Sequence, residues 1–359
     1  MLVHICCSVD SHFFIEKLQH EYPDEKLIGF FYDPNIHPYS EYRLRLLDVE
    51  RSCKKLGIEL IEGPYDFENW LNAVRGLERE PEKGARCEVC FDRRFEVSAQ
   101  KALELGEKTM TTTLLVSPKK SQEQLIRSGE AFEASHGVKF IAFDYRKNNG
   151  TADQGRVSKE QQLYRQDYCG CFFGLGMQRE QQHRLMDEMF SPISGQILPA
   201  SIEERLELYQ LRNELEKSDT PYRILKERFL NYRLFSSSLK AGNDILPSYP
   251  LFYSTMNRTQ TQGIIEFSIG NQHFLNREEV RFITIETFNA MSDSTYRSTQ
   301  ELMFNPISIG TEISIRARLM GCAFSTTAII VVDTIPTEKI TLVLEAKTYE
   351  DIKEQLIIL

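Results

Sequence analysis

The sequence predicts an α/β protein: a parallel sheet with flanking helices, followed by a C-terminal mainly β domain. Three observations carry this. As far as Phe143, short apolar runs alternate with helical stretches, the pattern of βαβ units. After about residue 195 that alternation stops. From Leu246 onward, short β-type runs take over, separated by turn signals such as Gly270-Asn271 and Asn305-Pro306. A chain of 359 residues is long enough for two domains, placed at 1–190 and 195–359.

Leu2–Cys6 reads as a buried strand and Ser11–Glu21 as a helix with Phe14, Ile15 and Leu18 on one face. Lys26–Tyr32 is a second strand, ended by Asp33-Pro34-Asn35. Glu41–Leu56 is a helix, with Leu44, Leu47 and Cys53 at helical spacing and Gly57 as its stop. Ile58–Ile61 is a third strand, Asp66–Leu77 a helix, and Cys87–Leu105 a longer helix closed by Gly106. Thr109–Leu115 is a Thr-rich strand leading into Ser117-Pro118-Lys119-Lys120; Gln122–His136 is helical and Val138–Phe143 a fifth strand. In the second half, Ser201–Lys217 reads as a charged helix continued by Tyr222–Leu234. Strands are expected at Gly263–Ile269, Val280–Phe288, Ile307–Leu319, Ala328–Val332 and Ile340–Leu344. Ligands of parallel sheets lie at the carboxyl ends of the strands, so Cys6-Cys7, Ser117–Lys120 and Asp144–Lys147 are expected on one rim.

Apolar content of 41% and charged content of 26% suit a soluble globular protein with real cores. The longest apolar runs are too short to span a membrane, and Met1 leads directly into a strand rather than a secretory signal. The expected location is a reducing cytoplasm, which disfavours structural disulfides. A net charge of −9 argues against binding nucleic acid through overall charge. Lys139–Arg165 nevertheless carries six basic residues against three acids, which reads first as a solvated mixed-charge face and second as a local basic surface. From residue 186 on the charge is −6, with no motif of chemical content.

Six of the eight cysteines form three tight pairs: Cys6-Cys7, Cys87-Glu88-Val89-Cys90 and Cys169-Gly170-Cys171. Adjacent cysteines cannot both point inward from a strand, so Cys6-Cys7 marks the strand's end, before Ser8-Val9-Asp10-Ser11 begins a helix. Cys87 and Cys90 are one helical turn apart at a helix start, whose positive end favours thiolates. Together these pairs offer four thiolates, enough for one iron–sulfur cluster or one zinc; separately they read as small buried residues or a redox pair. Cysteines bracketing a glycine can close a strained, labile disulfide, so Cys169/Cys171 reads as a redox dithiol, with metal ligation as its alternative. Cys53, Cys322 and His4 read as packing residues, and His12 lacks a partner at ligand spacing. Asp10, within one turn of Cys7, could cap the helix, ligate a metal or supply a proton.

These motifs resemble the QueH-type epoxyqueuosine reductases. The resemblance rests on His4-Ile5-Cys6-Cys7-Ser8, on Phe31–Pro38 running into Glu41-Tyr42, and on Arg86–Arg94 around Cys87 and Cys90. Thr112–Lys120 and Tyr164–Cys171 complete it, in family order over about residues 1–185; the remainder has no counterpart in the family core. It implies reduction of the epoxide of epoxyqueuosine to the cyclopentene of queuosine, the last step of queuosine synthesis. The implied partners are tRNAs with GUN anticodons (Asp, Asn, His, Tyr) and an electron donor the resemblance does not name; no membrane is involved. Cys6, Cys7, Cys87 and Cys90 would hold a [4Fe–4S] cluster, and Cys169 and Cys171 would form a redox-active disulfide. Asp10 takes the place of a carboxylate that helps hold an additional iron, and counts as catalytic with Cys169 and Cys171. The implied fold is nucleotide α-hydrolase-like (HUP-like). Cys6–Ser11 stands where its relatives carry a Gly-rich phosphate loop, so no ATP use is expected. Candidate phosphate contacts are Lys119, Lys120, Arg146, Lys147, Arg156 and Arg165, with Tyr32 and Tyr168 for stacking. Rival readings are a zinc-dependent tRNA-modifying or nucleotide-activating enzyme of the same architecture, and an iron–sulfur redox sensor whose β domain recognises a partner.

Overall fold

Leu2–Ile5 (β1) is buried along its whole length, as a central strand covered on both faces must be. The computed structural model describes residues 1–190, 195–275 and 280–359. Two compact units emerge: residues 1–189 with 205–224 and 356–359, and residues 190–204 with 225–355.

In the first unit, β1 leads into Ser8–Glu21 (α1), Ile28–Phe31 (β2), Tyr39–Leu56 (α2) and Glu59–Glu62 (β3). Phe67–Ala73 (α3), Ala85–Glu104 (α4), Thr109–Thr112 (β4), Gln122–His136 (α5) and Lys139–Phe140 (β5) follow. The five strands are parallel in the order β3-β2-β1-β4-β5. Right-handed crossovers put α1 and α2 on one face and α4 and α5 on the other. The order reverses between β1 and β4, so the crevice beyond their carboxyl ends is the switch point where open α/β sheets bind ligands. Cys6 and Cys7 end β1 there. The Thr-rich strand is shorter than expected: after Thr112 the chain turns into a 3₁₀ segment, Thr113–Val116, with the Thr112 hydroxyl accepting from Leu114 N. That turn lays Thr113 against Cys6, Oγ1 to Sγ 3.9 Å.

Two helices without a sequence expectation complete the crevice, Gly150–Glu160 (α6) and Phe172–Gln181 (α7). α6 packs against α1. The unit also takes in most of Ile202–Lys217 (α8). Arg212 there reaches the fully buried Asp48 at 2.7 Å, and Arg51 pairs with Glu216 at 2.6 Å. Asp48 also accepts from Tyr164 N at 2.7 Å and from the Ser8 hydroxyl, tying α1 and α2 to the chain beyond α6.

The second unit is built on two sheets. One, in the order β7-β6-β14-β9, uses Tyr222–Ala241 (β6), Asp244–Leu246 (β7), Gln260–Gly263 (β9) and Ile340–Ile358 (β14). The other, β10-β11-β12-β13-β8, uses Ser248–Pro250 (β8), Ile265–Ile269 (β10), Gln272–Leu275 (β11), Val280–Thr284 (β12) and Ala328–Val332 (β13). Within it β12 and β13 run parallel and the other pairings antiparallel. Ile285–Ser292 (α9), Thr299–Phe304 (α10) and Ile309–Met320 (α11) accompany the sheets.

Three expectations are corrected here. Tyr222–Leu234 is strand, not helix: its Lys, Glu and Arg favour helix locally, but pairing with neighbouring strands decides the conformation. Ile307–Leu319 is largely helix, not strand: Ser308 caps it through Thr311 N, and Ile309, Glu312, Ile315 and Arg316 form its buried face. Val280–Phe288 is a strand only to Thr284, whose hydroxyl accepts from Thr287 N and starts α9.

Candidate functional site

Cys7 is the N-cap of α1, with extended backbone, and the helix begins at Ser8 rather than Ser11. Asp10 therefore lies in the first turn and is not the cap. The Cys6 sulfur stands 3.8 Å from the Cys7 sulfur and 3.8 Å from Asp10 Oδ2. The ligating atoms of Cys6, Cys7 and Asp10 all lie within 4.8 Å of one another, and all three residues are buried. Gln154 of α6 donates to Asp10 Oδ1 at 2.6 Å, which fixes the carboxylate and turns Oδ2 to Cys6. The hydrogen bond with Cys7 and then burial push the Cys6 thiol well up. Burial pushes Asp10 up to about 6, against the opposing hydrogen bond from Gln154.

Cys87 and Cys90 sit on the first two turns of α4, which starts at Ala85 behind Gly84. Lys83 N donates to the Cys87 sulfur at 3.3 Å. Burial raises Cys90, outweighing the helix end that was expected to lower it; Arg94 and the Trp70 indole pull the other way.

Cys169-Gly170-Cys171 is clamped by the loop after β2. His37 N donates to Gly170 O at 2.9 Å and Asn35 Nδ2 to Cys169 O at 3.1 Å. Arg45 donates to Tyr168 O at 2.9 Å, and the Tyr168 hydroxyl to His37 O at 2.6 Å. Gly170 has φ +99°, and a Cβ there would fall 2.6 Å from Ile36, so no side chain fits between the cysteines. The Cys171 thiol donates to Cys169, holding Cys169 well below the usual thiol range with help from Lys120 and Arg45; the same bond pushes Cys171 far up. Cys171 packs with Trp70 and Val74 in an apolar cluster.

Two adjoining cavities organise these residues. A small one, about 20 Å³, is lined by Cys87, Cys90, Cys169, Cys171 and Trp70. A larger one, about 170 Å³, is lined by Cys6, Asp10, Gln154, Gln166 and Cys169. Both are also walled by Glu82, Arg94 and Lys120. Buried Arg94 pairs with Asp33 at 2.9 Å, donates to Asn35, and exerts its charge on Cys6, Cys90 and Cys169. Five of the six paired cysteines thus face one of two cavities, and Cys7 joins through Asp10.

The remaining candidates divide. Lys119, Lys120 and Arg165 line the larger cavity. Arg146 does not: it donates to Leu115 O at 2.8 Å and Lys120 O at 3.0 Å, bracing the Ser117–Lys120 turn. Lys147 pairs with Asp144, and Arg156 with Glu160. Tyr32 is fully buried, its hydroxyl on Asp66, and offers no open stacking face; Tyr168, largely buried with its hydroxyl on His37 O, lines the larger cavity. His4 bonds Thr112 and Tyr32 O in the core, and burial lowers it to about 3; His12 bonds Ser52. Gln154 and Trp70 carry no sequence signal, and Arg94 only its place in the Arg86–Arg94 motif, because the fold alone brings them to the cysteines.

The donor set fits a thiolate-bound metal group. Soft sulfur donors occur in pairs, a carboxylate stands beside one pair, and Arg94 and Lys120 supply positive charge that offsets buried thiolates. Four cysteines around one zinc hold their sulfurs about 4 Å apart. Among the described residues the group of ligands that close is Cys6, Cys7 and Asp10, without Cys87 or Cys90.

Residues 1–177 match the family model described as "Epoxyqueuosine reductase QueH". A Helicobacter pylori protein named epoxyqueuosine reductase QueH is 39% identical over 336 residues, covering 89% of this chain and 90% of that one. An Acinetobacter baylyi protein of the same name is 39% identical over 177 residues, covering 49% of this chain and 80% of its own. Among solved structures, the U34-tRNA thiolase NcsA from Methanococcus maripaludis with its [4Fe-4S] cluster covers 60% of this chain and 72% of its own, at 14% identity and a TM-score of 0.32. That likeness is too slight to carry argument.

Proposed function

Because the chain belongs to the epoxyqueuosine reductase QueH family, we infer that it reduces epoxyqueuosine in tRNA to queuosine. The observation that carries this reading is the pair of cavities meeting at Cys169, one lined by thiols and the other by polar groups that include Asp10. The substrates are tRNAs with GUN anticodons, those for Asp, Asn, His and Tyr, acted on in a reducing cytoplasm. No helix among the described residues is long and apolar enough to cross a membrane.

Cys6, Cys7, Cys87 and Cys90 would hold a [4Fe–4S] cluster, and an additional iron, where one binds, would take the Asp10 carboxylate. Bound there, the cluster supplies single-electron transfer and the iron a Lewis acid. The chain's own residues do the rest. Removal of the epoxide oxygen as water takes two electrons and two protons, and leaves the alkene. Oxidation of the Cys169/Cys171 dithiol to a disulfide yields two electrons and two protons, so the exchange balances. An external donor then re-reduces the disulfide. Cys169 faces the larger cavity as the more acidic thiol, and Cys171 keeps its proton in the apolar cluster. With no iron on it, Asp10, raised toward neutrality by burial and oriented by Gln154, would hold a proton at Oδ2 beside the reacting ring. Lys119, Lys120 and Arg165 at the cavity wall meet phosphate.

The test is anaerobic purification with iron, sulfide and zinc analysis, followed by incubation with epoxyqueuosine-tRNA and a reductant. About four irons and four sulfides per chain, with conversion to queuosine, is the expected result. A colourless protein with one zinc, or an intact cluster without conversion, would contradict it.

A further inference from the structure

We propose that Arg212, on α8, is a positioning residue for the Cys169/Cys171 dithiol, which makes α8 a working part of the catalytic unit. This rests on the epoxyqueuosine reading and deepens it. Arg212 lies well beyond residues 1–177, the stretch that matches the family model, yet Arg205–Ile224 belongs to the first compact unit. Arg212 and Asp48 are both fully buried, and the guanidinium stands 2.7 Å from Asp48 Oδ1. Arg51, also near Asp48, is 3.8 Å away and gives its fork to Glu216. Arg212 is therefore the main counter-ion of a carboxylate that water does not reach, and a buried carboxylate stripped of its cation is strongly destabilising.

What Asp48 holds leads to the dithiol. Its Oδ2 accepts from Tyr164 N at 2.7 Å and from the hydroxyl of Ser8, the neighbour of Cys7. Arg212 reaches the same segment twice more. It donates to Gln162 O at 3.0 Å, and it lies 4.5 Å from the Tyr209 ring, which packs edge-on against Tyr164 at 5.4 Å. From Tyr164 the contacts continue without a gap. Its hydroxyl donates to Glu41 at 2.8 Å, Glu41 pairs with Arg45 at 2.7 Å, and Arg45 donates to Tyr168 O at 2.9 Å, one residue before Cys169. Every side chain in this series is buried. Buried polar networks rigidify what they join, and a reacting group misplaced by about 1 Å can cost about 10²-fold in rate. Arg212 touches no reacting atom; it acts through Asp48 and Tyr164. The second tie of α8 is different: Glu216 contacts Arg51, Lys55 and Tyr222, none of them in the Tyr164–Cys169 segment.

The test compares the wild type, Arg212→Met, Arg212→Lys and Glu216→Ala as full chains carrying their cluster. Cluster absorbance reports that each is folded, hydrogen exchange is read over residues 163–171, and kcat and KM are measured on epoxyqueuosine-tRNA. Arg212→Met should exchange about tenfold faster over 163–171 and lose about 10- to 100-fold in kcat, with KM within about twofold. Arg212→Lys, which returns a charge to Asp48, should recover most of both. Glu216→Ala should unfold at lower urea yet match the wild type in exchange over 163–171 and in kcat. A wild-type kcat in Arg212→Met, no recovery in Arg212→Lys, or equal losses in Glu216→Ala would overturn the inference. If Arg212→Met comes without its cluster, Tyr164→Phe decides, because it removes only the hydroxyl on Glu41: a lowered kcat with faster exchange supports the inference, and wild-type values overturn it. A wild type that holds its cluster and reduces no epoxyqueuosine overturns the underlying reading, while the exchange comparison still decides this one.

Discussion

The two cavities share Glu82, Arg94, Lys120 and Cys169, and their remaining walls differ in emphasis. The smaller carries thiols and aromatic rings beside Asn35 and Arg86, with Cys90 and Cys171 packed against Trp70. The larger is amide, hydroxyl and carboxyl, with Asp10, Gln154, Ser158 and Gln166. A thiol-lined space suits storage of electrons, and one with amide and carboxyl groups suits delivery of protons to a bound ring. Cys169 is the thiol among the residues that border both, so it joins the two halves of the reaction.

Removing a thiol from the small cavity should break this division most completely. Cys90→Ser is expected to lose iron and turnover together, read by iron analysis and by nucleoside chromatography of the tRNA. Cys169→Ser is expected to keep the cluster colour and lose steady turnover; loss of colour would instead make Cys169 a metal ligand. In the polar cavity, Asp10→Asn should lower kcat by about 10²- to 10⁴-fold. Where Asp10 carries no iron, the wild-type rate should fall as pH rises through about 6, where it gives up its proton, and the variant should lack that fall.

The same carboxyl makes a stability prediction. Its folded pKa is raised, so ionisation is harder in the folded chain than in the unfolded one. Stability relative to Asp10→Asn is therefore fully present below about pH 4 and lost as pH rises to about 6. Urea unfolding of the metal-free chain should show the Asn variant gaining up to about 3 kcal/mol across that window and nothing further above it. Lys119→Ala, at the outer wall, should have the smallest effect: severalfold weaker RNA binding and a salt slope reduced by about 1.

Much of this was legible in the sequence. Apolar runs separated by helical stretches report a parallel sheet directly, because each element buries a face with its own period. The cysteine pairs were legible because thiols are scarce and their spacing is local. Residues that act through distant partners were not. Arg94 looks like any helix arginine until the loop after β2 brings Asp33 and Asn35 to it. Gln154 belongs to a helix that no strong periodicity announces, preceded by Asn148 and Asn149 with positive φ. Tyr32 suggested stacking by residue type, yet its environment makes it a buried brace. In the second unit the error runs the other way. The Lys-Glu-Arg content of Tyr222–Leu234 favours helix, and sheet pairing, which is non-local, overrides it.

The central claim is that Cys169 joins an electron-storing cavity to a proton-delivering one. It is tested most directly by single-turnover conversion of epoxyqueuosine-tRNA under anaerobic conditions, with the protein pre-reduced and no donor added. The wild type should form about one queuosine per chain, and thiol labelling should show Cys169 and Cys171 passing from dithiol to disulfide in step with product. Product formed while both thiols remain reduced would contradict the account.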